Sequence, residues 1–125
     1  MSQKQNPLCG EKSMVTFDNV WSWLQGNLKS GQIIKNWSVL HEYLGRTMTI
    51  VDVRSDYIKV APPNAKKNQV IPKEDFEKLW GDWSAYKNGK VLRSTFPKKT
   101  RFVTYIISIL HYYEQEVTGI AQFSD

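Results

Sequence analysis

Apolar side chains first recur at a helical interval: Phe17, Val20, Trp21, Leu24 and Leu28 fall at i, i+3, i+4, i+7 and i+11, on one face of a helix. Thr16 or Asp18 can cap its start and Ser30-Gly31 ends it. Trp23 lies more than about 100° from the centre of that stripe at roughly 3.6 residues per turn, and is available for a second contact. The period then shortens. Ile33-Ile34 and Trp37 to Leu40 predict a short strand. Thr47 to Val53 alternates and is β-branched, and Tyr57 to Val60 returns after a turn at Arg54-Ser55-Asp56, which makes a hairpin. Pro62-Pro63-Asn64 terminates it, and Gln69 to Ile71 adds a short edge strand before Pro72.

A second helix is predicted from Lys73 to Asn88, stopped by Gly89, with Phe76, Leu79, Trp80, Trp83 and Tyr86 as its apolar stripe. Glu74, Asp75 and Glu77 lie in its first turn, where the helix dipole favours negative charge. Gly81 lies on the opposite side, at a cost of about 1 kcal/mol relative to Ala. A third helix runs from Thr100 to Glu116. Nine of the twelve residues from Phe102 to Tyr113 are apolar or aromatic, and they spread around its circumference. A helix of that kind is either central in the fold or covered by another subunit. Ile120 and Phe123 are expected to dock behind it.

This order of elements predicts an α+β fold: an N-terminal helix, a small antiparallel sheet of three or four strands, and two C-terminal helices. Residues 1–15 read as a flexible lead and residues 16–125 as a single domain. A helix–loop–helix after a hairpin also permits a winged-helix-like variant. Against that, a connection of about ten residues is long for a DNA-reading helix-turn-helix. The apolar final helix also lacks the polar surface that enters a major groove.

Composition narrows the class without naming a chemistry. With 41% hydrophobic and 23% charged residues in 125, the chain is ordinary globular material, long enough for a core without disulfides. The single cysteine, Cys9, cannot form an internal disulfide or complete a zinc ligand set. Met1 to Ser13 is polar, without the apolar core of a secretory signal, and no run approaches the roughly 18 apolar residues that span a bilayer. The expectation is a cytoplasmic chain without a membrane partner. Five Trp, six Tyr and five Phe could build a core, a stacking platform or a homodimer interface.

Charge is the feature that points to a partner. Between Asp82 and Glu114 the chain has no acidic residue but carries Lys87, Lys90, Arg93, Lys98, Lys99 and Arg101, more than the formal net charge of +5. Lys98 and Lys99 precede Thr100, the expected N-cap of the third helix, and Arg101 follows it. A helix start offers N–H groups and a positive dipole end, so these residues form a candidate seat for nucleic-acid phosphate or for an acidic protein surface. The alternative is a solvated connecting loop in which Thr100 merely caps. Trp23, Trp37 and Phe96 are candidate aromatic contacts beside it, with burial in the core as the alternative.

Catalysis finds little footing. His41 adjoins Glu42 and His111 lies in the apolar helix, while Asp52 and Asp56 flank a turn that accounts for them. No phosphate-cradling glycine loop, paired-cysteine pattern or helical His-Glu motif is present, so no enzyme activity, cofactor or metal is expected.

Ile34-Lys35-Asn36-Trp37-Ser38, Val70 to Phe76 and the run from Thr100 through Leu110 resemble small bacterial proteins carried on mobile gene cassettes, the integron cassette proteins. That resemblance covers about residues 17–115 and implies a bacterial, cytoplasmic, stand-alone domain. It brings no catalytic or binding residue with it. The leading expectation is a non-catalytic module that engages an anionic partner through Lys87 to Arg101. The second is a self-associating dimer with an aromatic interface or small-molecule cleft.

Overall fold

The computed structural model describes residues 15–63 and 67–123, so most of the expected lead (residues 1–15) and the side chains of Ile120 and Phe123 lie outside the described residues. Helix α1 (Phe17–Asn27) opens on a capping box. Thr16 Oγ1 accepts the Asn19 N–H at 3.2 Å while Asn19 Oδ1 accepts from Thr16. Phe17, Val20, Trp21, Leu24 and Leu28 are all buried, as their spacing requires. Trp21 also donates from its indole N–H to the Ser55 carbonyl at 2.9 Å, which ties the helix to a turn of the sheet.

Four strands follow: β1 (Ile33–Ser38), β2 (Glu42–Val53), β3 (Tyr57–Ala61) and β4 (Gln69–Pro72). They pair antiparallel in the order β1-β2-β3-β4. Ile34, Met48, Ile50, Ile58, Val60 and Ile71 are buried on one face, the alternation expected of a sheet covered on one side. β2 starts at Glu42, well before the alternation at Thr47, because Tyr43 and Glu42 pair with Trp37 and Ser38 across the turn.

The expected single helix from Lys73 to Asn88 is two, α2 (Lys73–Trp80) and α3 (Trp83–Lys87). The break falls at Gly81-Asp82, a glycine and a poor helix former in succession. It turns α3 so that the Tyr86 hydroxyl accepts the Val39 N–H at 2.9 Å, closing the β1–β2 turn onto the helical layer. A 3₁₀ turn (Arg93–Lys98) then leads to α4 (Val103–Phe123).

α4 lies across the sheet, packed most heavily on β1, with α1 and α2 beside it. Phe102, Val103, Ile106, Ile107, Ile109, Leu110 and Tyr113 are buried within the one chain. The apolarity of this helix therefore needs no second subunit. Among the described residues, no helix is long and apolar enough to cross a membrane. One polar contact fixes α4 on the edge strand: the Trp37 N–H donates to Ser108 Oγ at 3.0 Å, and that hydroxyl donates to the Thr104 carbonyl at 2.7 Å. Ser108 is fully buried, so Ser108→Ala strands the Trp37 N–H away from water. The expected cost is about 2 kcal/mol, a buried donor left without its acceptor. Urea unfolding of S108A should show a lower midpoint with an unchanged slope, and an unchanged midpoint would contradict the role of this contact.

Candidate anion-binding cleft

The cleft begins with a fault in strand pairing. Lys35 pairs with Thr47 and Trp37 with Tyr43, so Asn36 alone on β1 faces Leu44, Gly45 and Arg46 on β2. A bulge of this kind bends its strand and re-aims the side chains on it. Gly45 has φ +78°, the left-handed region that favours glycine, and Glu42 at the adjoining turn has φ 56°. The displaced backbone opens a cleft of about 970 Å³ between β1, the bulge, the Pro62-Pro63 turn after β3 and the start of α4.

Three arginines line it, Arg46 from the bulge, Arg93 from the 3₁₀ turn and Arg101 before α4, and among the described residues no carboxylate does. Two are held in place. Arg93 donates from Nη2 to Thr104 Oγ1 at 2.5 Å, and the Arg101 guanidinium sits 5.1 Å from the Phe102 ring centre. Val103, Thr104 and Tyr105, the first turn of α4, line the same cleft. The Ile106 N–H is the first to reach an i−4 carbonyl, that of Phe102, at 3.0 Å. The three N–H groups before it belong to the positive end of the helix dipole. Guanidinium forks and helix-start amides together are the donor set that holds phosphate or carboxylate.

The seven residues expected to form the seat are divided. Arg93, Thr100 and Arg101 line the cleft. Lys87 is paired with Glu114 and Lys99 with Asp82, so the acid-free stretch draws two counter-charges from its own borders. Lys90 and Lys98 are exposed and lie outside the cleft lining. Thr100 does not cap the third helix, which starts at Val103. Its hydroxyl donates to Asp75 Oδ2 on α2 at 2.8 Å and accepts the Phe102 N–H at 3.0 Å, and the residue is buried. Packing against α2 has claimed that hydroxyl, and the helix begins three residues later.

The expected aromatic contacts also resolve differently. Phe96 is fully buried, with its ring 5.3 Å from that of Tyr86, and so cannot stack on a ligand. Its burial pins the basic segment to the core, where a loose loop was the alternative. Trp23 packs edge-on to Tyr113 at 5.3 Å, and Trp37 stacks on His111 at 3.9 Å with 7° between the rings. Both are half-buried, and neither lines the cleft. Among the described residues, Phe102 and Tyr105 are the aromatic residues that do.

Arg46 and Asn36 were not singled out from the sequence. The signal available was Gly45 within a strand pattern, which marks a bulge. His41 lies in the β1–β2 turn, exposed, and Asp52 pairs with Arg54 at 2.8 Å. Among the described residues, no three or more His, Cys, Asp or Glu side chains are grouped so as to hold a metal ion. Comparison with protein-family models, curated proteins and solved structures finds no match to the chain.

His111 gives the fold a pH dependence. Burial holds its imidazole below the ordinary value of 6.5, Glu114 draws it up and Lys87 pushes it down. The unfolded chain therefore binds this proton more readily, and stability is lost as the pH falls through 6.5 toward the folded value. His111→Phe keeps a ring on Trp37 and removes the titration. Thermal melts between about pH 7 and pH 5, the window in which histidine changes charge, should fall less steeply for H111F than for the native protein. Parallel curves would contradict the assignment.

Proposed function

We propose that this protein is a non-catalytic module that binds the phosphate backbone of single-stranded nucleic acid in the cleft at the start of α4. The observation that carries this is the convergence of Arg46, Arg93 and Arg101 on one concave surface that, among the described residues, no carboxylate lines. Guanidinium is the preferred cation for phosphate, because its planar fork donates two parallel hydrogen bonds and is weakly hydrated. A flexible strand can follow such a groove, with sugars and bases against Tyr105 and the prolines that share its walls. The final helix, enclosed by the sheet, takes no part in reading a duplex.

Fluorescence anisotropy of a labelled oligonucleotide across a salt series tests this. Three phosphate contacts predict a slope of log affinity on log salt of about −2, at roughly −0.7 per contact for single strands. Arg46→Ala and Arg101→Ala should each flatten the slope by about 0.7 and weaken binding for all sequences alike. Lys90→Ala and Lys98→Ala should change it far less. Binding of an acidic peptide but not of the oligonucleotide would replace nucleic acid by an acidic protein surface, and no binding of either at about 50 mM salt would sink the anionic partner altogether.

A further inference from the structure

The cleft contains one group that phosphate does not explain. Asn36 occupies a β1 position whose side chain alternates onto the core face, between the buried Ile34 and Ser38. The residue is only 8% exposed, yet its Oδ1 finds no hydrogen-bond donor among the described residues. A buried carbonyl oxygen of this kind is costly, and native structures satisfy nearly all of them. The bulge explains the location. With three β2 residues opposite it, Asn36 meets displaced backbone and lines the cleft. Asn36 shares this cleft with three guanidiniums and with the hydroxyls of Thr47, Thr104 and Tyr105, and a ligand that carries both an anion and its own hydrogen-bond donor satisfies the cations and the unpaired oxygen together.

Given the phosphate-binding reading of the same cleft, on which this rests, we infer that Asn36 reads the amino-bearing edge of a nucleobase whose phosphate lies on the arginines. A carboxamide meets an exocyclic amino group and the neighbouring ring nitrogen with one acceptor and one donor, the pairing that asparagine makes with adenine. The cleft volume, about 970 Å³, lies at the upper end of the range typical of small-molecule sites and accommodates a nucleotide. Tyr105, half-buried, lines the cleft with Asn36 and supplies aromatic surface for the base. Arg46 lies on the bulge opposite Asn36 and lines the same cleft, so the phosphate and the base are recognised from facing strands.

Calorimetric titration with three probes tests this: adenosine 5′-monophosphate, its analogue lacking the 6-amino group, and ribose 5-phosphate. The native protein should bind the first about tenfold more tightly than the second, because the analogue leaves the buried oxygen unpaired. Salt should weaken all three alike. Asn36→Leu removes the carboxamide at similar side-chain volume and should bind the two nucleotides equally, with the same salt dependence. Equal binding of both nucleotides by the native protein, with ribose 5-phosphate also bound, would overturn base reading and leave phosphate binding standing. Discrimination that survives in N36L would overturn the role of Asn36. Failure of all three probes and of the labelled oligonucleotide would overturn both.

Discussion

A helix that is apolar around most of its circumference has to be enclosed, and the rest of this protein is arranged to enclose α4. The four-stranded sheet covers one side, and α1 and α2 lie along others. Tyr113 is reached edge-on by Trp23 and Trp80, and Trp37 closes over His111. Burial of this many large side chains is the main favourable term in the fold. Polar groups trapped beneath it must find partners, and Ser108 answers that requirement by joining the β1 backbone to the helix.

Enclosure also decides where the functional chemistry can lie. With its middle buried, α4 presents its N-terminal turn at the cleft, where the β2 bulge has opened the sheet. Charge sorting follows from the same packing. Lys87 and Lys99 lie against α4 and the α2–α3 break, close enough to Glu114 and Asp82 to be neutralised. Arg46, Arg93 and Arg101 converge instead on the cleft, which no carboxylate among the described residues lines. Net charge along the sequence was thus a coarse guide to net charge in space.

The regular parts of the fold were legible because each has a period. The α1 stripe, the Thr47–Val53 and Tyr57–Val60 alternation and the apolar run of α4 all report burial directly. Three features were not legible, for different reasons. The break at Gly81-Asp82 lies within a stripe whose spacing fits one helix, so the apolar pattern alone does not reveal it. The loss of Thr100 as a cap depends on Asp75, twenty-five residues away in sequence. The cleft depends on a bulge two residues longer on β2 than on β1, which brings Asn36 and Arg46 together across a turn. Half of the basic seat could be read along the chain; its acceptor and its third arginine could not.

In the proposed binding mode the β2 bulge and the first turn of α4 hold the anion jointly. Amide chemical shifts recorded while a short single-stranded oligonucleotide is added test it most directly. Saturable shifts that follow one binding curve are expected at Gly45, Arg46, Val103, Thr104 and Tyr105. Shifts confined to the exposed lysines Lys90 and Lys98, or shifts that never saturate, would contradict it.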